Sequence, residues 1–450
     1  MSPSAIWSAH RVPFALAFLV LVVVGPVVAP NSAQPASRLS LTAALVDHGS
    51  VNLGPYRSAL GIDFATYRGQ LRSDKAPGQP IFAIPAYAVA RLAGMESPAK
   101  LRVDSNLGLW FLTLWSATIP FAALVALIYV ECCRFSRSGV ALAVTMLLAF
   151  GTMLLPYGAN LFAHDLAALL GFGAWLLLNR GLLTTRRAAV AGLLAGSAVA
   201  VEYELAIIAV VLGVYVLVRN RQRLLQFAAG GVVPAVVLAW YQWRAFGAPW
   251  RTPAAFYNLR SGYNIPSLSD LWWMFGGGRG LWVGAPIAIV GLGSAVWVAC
   301  AERGALRDAA LVALSIMIPY LVLCAGWSGT PLLVDPGPRY LIPALPFLAV
   351  PLAATWDRAR VVAVPASILG ALIAIMATWS TLLVPSDESL LSVYRYDLQH
   401  RLFGQTLWNM ALGPIGAILY AVSVGSAVAL LVHVAKHRTD VRSPVPEPLR

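Results

Sequence analysis

Ten apolar runs, each close to the length that crosses a lipid bilayer, follow one another along this chain. They lie near 12–30, 109–131, 138–157, 160–179, 225–242, 281–300, 308–326, 339–355, 361–383 and 410–434. A spanning helix needs about 20 residues. Lipid offers no partner for exposed backbone groups, so runs of this kind can cross it only as helices. With 59% hydrophobic and 11% charged residues and a mean hydropathy of +0.73, a soluble fold could not hide so much apolar side chain. The pattern predicts an all-α polytopic membrane protein.

One further run, 188–218, carries Glu202, Tyr203 and Glu204 in its middle. A single straight helix there would bury two carboxylates in lipid, each at a cost of several kcal/mol. The run is therefore expected to be two short helices with the glutamates at the turn, which brings the total to about twelve spans. At most one of the two glutamates is expected to face a cavity, because on a helix they point to different sides. A cleaved leader would resemble residues 13–30, but Pro26, Pro30 and the lack of a small-x-small cleavage site favour a retained first helix.

Lys and Arg set the orientation. Arg134 and Arg137, Arg180, Arg186 and Arg187, Arg219, Arg221 and Arg223, Arg303 and Arg307, Arg358 and Arg360, and Lys436 and Arg438 fall on one side if both termini are cytoplasmic. The net charge of +13 is thus read as topology, with no nucleic acid among the partners. Residues 1–438 form one transmembrane domain in this reading, and 439–450, with three prolines and no apolar period, a cytoplasmic tail. The four cysteines show no disulfide framework or zinc spacing.

The outward loops then hold basic residues against the rule, which makes them candidates for binding an anion. The first, 31–108, concentrates them in Asp63-Phe-Ala-Thr-Tyr67-Arg68-Gly-Gln-Leu-Arg72-Ser73-Asp74-Lys75-Ala76-Pro77-Gly78. Leu39–Val46 has the spacing of a short interfacial helix, and residues 80–92, apolar with Pro85 inside, read as a second interfacial helix or a short re-entrant piece. The ionisable residues at membrane depth share the outer face: His164 and Asp165, Glu202 and Glu204, Arg279, and Asp335 and Arg339. Intramembrane ionisable groups mark functional sites by default, and one depth implies one cavity. Arg339, after Asp335-Pro-Gly-Pro, is placed to grip a phosphate through two hydrogen bonds. The outer Trp and Tyr residues, Tyr257 among them, read mainly as an interfacial aromatic belt.

Ser73-Asp74-Lys75-Ala76-Pro77-Gly78, after the segment Arg38 to Gly49, resembles the first periplasmic loop of bacterial polyprenyl-phosphate-dependent glycosyltransferases of the GT-C type. These are the relatives of protein O-mannosyltransferases and lipid A aminoarabinose transferases. Phe162-Ala-His164-Asp165, Arg279-Gly-Leu-Trp-Val-Gly-Ala-Pro286 and Gly337-Pro338-Arg339-Tyr340-Leu341-Ile342-Pro343 match the same pattern. The resemblance implies a GT-C-like bundle in the bacterial cytoplasmic (inner) membrane, with the active site facing outward. It implies a polyprenyl-phosphate-linked sugar donor, a lipid, glycan or protein acceptor, and inversion at the sugar. Lys75, Arg339 and Arg279 would bind the donor phosphate. Asp74, His164, Asp165, Glu202, Glu204 and Asp335 would line the cavity or the acceptor site. The relatives' acidic pair after the first helix is missing: the chain reads Pro30-Asn31-Ser32-Ala-Gln-Pro-Ala-Ser37-Arg38 there. Asp63 takes the place of the catalytic base in this reading. The metal ligands stay open; a divalent cation is the one cofactor considered, with His164 or Asp165 as a contributor. The competing readings are a secondary transporter or lipid flippase, and an inactive relative that still binds polyprenyl phosphate.

Overall fold

The computed structural model describes residues 3–30, 32–96, 107–257, 262–327, 335–385, 388–400, 402 and 404–436, with side chains from residue 11 onward. The expected tail at 439–450 lies outside the described residues. Among those described, five helical stretches are long and apolar enough to cross a membrane: Leu107–Cys132, Tyr203–Phe246 (which folds back at Asn220), Gly304–Gly326, Trp356–Trp379 and Leu407–Lys436. A sixth span results if Leu268–Gly284 and Pro286–Ala301, bent by 103°, are taken together. Four shorter apolar helices, Arg11–Val24, Ser138–Phe150, His164–Leu178 and Arg339–Ala354, accompany them. The count is smaller than the apolar runs foretell because a run is not a helix of equal length. The run 138–157 stops being one helix at Gly151, and 160–179 becomes helical only at His164. The segment Arg339–Leu348 is a 3₁₀ turn ten residues long. Such turns are seldom longer than a few residues; Pro343 and Pro346 lack the N–H groups an α-helix would use.

The glutamate-bearing run breaks at Glu202, whose backbone is extended (φ −146°, ψ 127°) between the helices Thr185–Val201 and Ala206–Asn220. The chain turns again at Asn220 (φ −148°, ψ 51°) before Leu224–Phe246. Gly192 packs on Phe227 and Gly196 on Gly231, so Thr185–Val201 and Leu224–Phe246 run parallel and Ala206–Asn220 is the return leg. A Cβ on Gly192 would stand 1.8 Å from the Phe227 carbonyl oxygen. Small residues are what let two membrane helices approach this closely.

Polar contacts sort the molecule into two ends. At one, Arg134 and Arg180 meet the buried Glu131 at 2.7 and 3.5 Å. Arg187 caps the Leu177 carbonyl, Arg223 the Leu183 carbonyl, and Arg219 pairs with Asp308. The other end holds the first loop. Its helix Ala33–His48 is buried on every side from Gln34 to Ala44, where an interfacial helix was expected to keep a free polar face. Its Leu39, Leu41 and Ala43 share a small separate core with Leu53, Tyr56, Tyr87, Leu109, Tyr241 and Phe246. Residues 78–92 form two short helices, Gly78–Phe82 and Ile84–Leu92.

Between them lies a hairpin that the sequence reading did not foresee. Strand β1 (Ala65–Tyr67) pairs antiparallel with β2 (Gln70–Arg72) in the register Ala65↔Arg72, Thr66↔Leu71, Tyr67↔Gln70. The two-residue turn has positive φ at both positions, Arg68 (50°) and Gly69 (74°), as the tight hairpin turns that match strand twist require. Asp63 and Asp74 lie just beyond the hairpin's open end, and both meet Lys75.

Candidate active site

That hairpin builds the first half of the site. Lys75 Nζ lies 3.2 Å from Asp63 Oδ2 and 2.5 Å from Asp74 Oδ2. Asp74 also accepts the Ser37 hydroxyl at 2.9 Å. The remaining oxygen of Asp63 accepts the Tyr257 hydroxyl at 2.8 Å. Tyr257 reaches it because its backbone bridges to Ala65, beside the hairpin. Its ring lies 5.7 Å from the Lys75 ammonium. Burial alone would raise the Asp63 carboxyl. The Lys75 ammonium, the Tyr257 hydroxyl and the more distant Arg339 outweigh it and hold it below the usual carboxylate range. Burial would likewise lower Lys75, but Asp74 and Asp63 raise it, so it stays charged.

Arg38, one residue after Ser37, forms the second half. Its Nη2 donates to Glu202 Oε1 at 2.5 Å, with both side chains buried. Neighbouring residues of one helix thus bind Asp74 and Glu202. His164 Nδ1 stands 3.8 Å from Glu202 and 3.9 Å from Glu204. Both glutamates therefore face the same place. They do so because Glu202 is extended and Tyr203–Leu205 is a 3₁₀ turn, so the helical spacing that would separate them is absent. Among the described residues, His164, Glu202 and Glu204 are the group that could jointly hold a metal ion. Tyr340 packs edge-on against the His164 ring at 6.0 Å, and Arg339 lies over the Tyr340 ring at 5.4 Å.

Arg339 Nη1 pairs with Asp335 Oδ2 at 3.0 Å, and Tyr157 donates to Asp335 Oδ1 at 2.7 Å. Burial raises the Asp335 carboxyl, with Arg339 and Tyr157 opposing. Glycines position both the Lys75 and the Arg339 segments. A Cβ on Gly78 would lie 2.5 Å from the Ala200 carbonyl oxygen, so the loop after Lys75 sits on the backbone that leads into Glu202. A Cβ on Gly284 would lie 2.5 Å from the Gly337 Cα, which seats the Gly-Pro-Arg turn.

Two expected residues stand apart. Arg279 spends its guanidinium on the carbonyls of Val384, Pro385 and Glu388, at 2.6–2.7 Å, and ties down that segment. Asp165 is fully buried, and neither carboxylate oxygen has a hydrogen-bond partner. Tyr257 and Arg38 were not singled out from the sequence as site residues. The position of Arg38, one residue after a serine in a polar helix of a membrane chain, was the available signal. Tyr257 offered none, since its role comes from a contact across the fold. Among the belt aromatics, Trp240, Trp243, Trp250, Trp272 and Trp273 are exposed as a belt requires, whereas Tyr241 is buried.

No protein-family model matches the sequence, and no curated protein matches it. Solved structures do match. The fold is similar to that of ArnT. Against ArnT from Cupriavidus metallidurans bound to undecaprenyl phosphate, the chain is 16% identical with a TM-score of 0.53, over 97% of this chain and 79% of that one. The apo form of ArnT gives 15% identity, a TM-score of 0.53, and 97% and 78% coverage. The Archaeoglobus fulgidus oligosaccharyltransferase gives 12% identity and a TM-score of 0.47, over 95% of this chain and 56% of that one. The likeness to ArnT is one of structure. With its apolar helices, the ArnT-like fold makes this a membrane protein.

Proposed function

We propose that the chain is an integral membrane glycosyltransferase that moves a sugar from a polyprenyl-phosphate donor to an acceptor. The reaction is set at the outer face of the bacterial cytoplasmic membrane, in a bundle of about twelve membrane segments with both termini cytoplasmic. The observation that carries the reading is the Asp63–Lys75–Tyr257 cluster, in a chain whose fold is similar to that of an undecaprenyl-phosphate-binding protein. The donor's lipid tail stays in the bilayer and its phosphate reaches the membrane edge. Lys75 and Arg339 neutralise the phosphate as it departs, an electrostatic stabilisation of developing charge. Asp63 takes the proton of the acceptor hydroxyl as general base, and attack from the face opposite the phosphate inverts the sugar centre.

The order of events follows from the charges. In the empty site Lys75 holds Asp63 ionised but weakly basic. When the ammonium turns to the donor phosphate, its hold on Asp63 loosens. The carboxylate becomes more basic just as the acceptor needs it. Burial, which pushes the same carboxyl upward, then acts unopposed by its nearest cation.

Transfer from a panel of radiolabelled polyprenyl-phosphate sugars to membrane acceptors tests the reading. Transfer from at least one donor, abolished by Asp63→Asn, is expected. Binding of polyprenyl phosphate without transfer from any donor would support the second reading, an inactive lipid-phosphate-binding relative. The absence of any acid between Pro30 and Arg38 favours that one over a transporter.

A further inference from the structure

Glu204 has a carboxylate that the glycosyl-transfer chemistry does not use. It is nearly buried, its Oε1 has no hydrogen-bond partner, and no Lys or Arg pairs with it among the described residues. His164 is 1% exposed, and neither ring nitrogen has a hydrogen-bond partner. Its Nδ1 is nevertheless aimed between Glu202 and Glu204, at 3.8 and 3.9 Å. Buried polar atoms in native structures are almost always satisfied, so these atoms point at something that fills the gap.

We propose that His164, Glu202 and Glu204 form a binding site for one divalent first-row metal ion. The three ligand atoms lie within 4.8 Å of one another. An ion bonded at about 2.1 Å to nitrogen and oxygen sets its ligands about 3–4 Å apart, so a small turn of one glutamate closes the set. One imidazole and two carboxylates suit zinc or manganese. Three protein ligands leave coordination positions open toward the cavity.

The local charge points the same way. Asp63, Asp74, Glu202, Glu204 and Asp335 are matched only by Lys75, Arg38 and Arg339 in the pairs they form. Arg38 does not block the site. It holds Glu202 Oε1, leaves the other oxygen of that carboxylate available, and orients the group as outer contacts do around metal ligands. Around His164, Tyr157 and Tyr340 stand edge-on at 5.3 and 6.0 Å, and Phe162 stacks at 6.1 Å. These rings fix the imidazole plane.

Purified full-length protein, stripped with a chelator, would be titrated with Mn²⁺ and the free ion followed by electron paramagnetic resonance. One saturable Mn²⁺ per chain is expected, displaced by Zn²⁺ as the stronger binder. His164→Ala and Glu204→Gln should each weaken binding at least about ten-fold, while Asp63→Asn leaves it unchanged. Wild-type stoichiometry tests the site even where a variant fails to fold. No saturable ion in the wild type would overturn the proposal and leave a proton on His164 as the occupant of the gap. An ion that survives both substitutions would overturn it too. No donor or acceptor enters the titration, so its result and that of the transfer assay stand separately.

Discussion

Asp63 is anionic in the folded site for an identifiable reason: an ammonium at 3.2 Å and a phenol at 2.8 Å. Asp63→Asn should keep donor binding and lower turnover by about 10²- to 10⁴-fold, the contribution of a general base, as read by single-turnover transfer on donor-saturated protein. Native turnover in this variant, together with loss in Glu202→Gln, would move the base to the helices. The sign of the pH effect follows from the lowered carboxyl. A group below its ordinary value of 3.8 adds stability that is present above that value and is lost as pH falls through the folded value. The acid limb of kcat/KM, which reports the free enzyme, is therefore expected below pH 3.8. Tyr257→Phe removes one of the lowering contacts, so the limb should move to higher pH. A limb that stays in place would show that the phenol does not act on Asp63. The sequence placed Asp63 and Lys75 in one loop, twelve residues apart, but gave no register. Tyr257 enters only through a backbone bridge 192 residues from Ala65 in the chain, which no local pattern announces.

At the scale of elements, the site is a junction of three segments that touch through backbone. Gly78 lies against Ala200 and Val201, so the loop carrying Lys75 is seated on the turn carrying Glu202. Gly78→Ala would force that contact apart. Overpacking of this kind costs about 1–3 kcal/mol, and the variant should melt earlier in detergent and bind donor more weakly. An unchanged melting temperature would mean that the loop yields freely. Arg38 joins the same parts by charge. Removing one partner of a buried ion pair strands the other, at about 3–5 kcal/mol, so Arg38→Ala should destabilise more than Gly78→Ala. Apolar periodicity made the helices legible and the two acids made the break near Glu202 legible. It could not show that both glutamates share one side, because that depends on an extended residue and a 3₁₀ turn. Nor did it show that Ala33–His48 is enclosed rather than lying at an interface, since a helix surrounded by protein on one side and polar loops on the other keeps a mixed pattern.

For the whole molecule, the deciding property is that charge is sorted by end. Arg134, Arg180, Arg187, Arg219 and Arg223 hold side chains and carbonyls at one end, while the Asp63, His164 and Arg339 groups occupy the other. Under the bias of Lys and Arg toward the cytoplasm, the proposed orientation has the arginine end inward. Ser58 is exposed in the first loop, at the end that carries the site. A Ser58→Cys substitution in a background lacking Cys132, Cys133, Cys300 and Cys324 should therefore react with a membrane-impermeant maleimide in intact spheroplasts. A cysteine placed at Arg186, between the arginines of the opposite end, should react only after lysis. Both variants are read on the same gel, so a leaky preparation shows as labelling at both positions. The reverse pattern would put Lys75 and Arg339 on the cytoplasmic side. A polyprenyl-phosphate donor presented at the outer face could then not reach them, and the proposed reaction would lose its site along with its orientation.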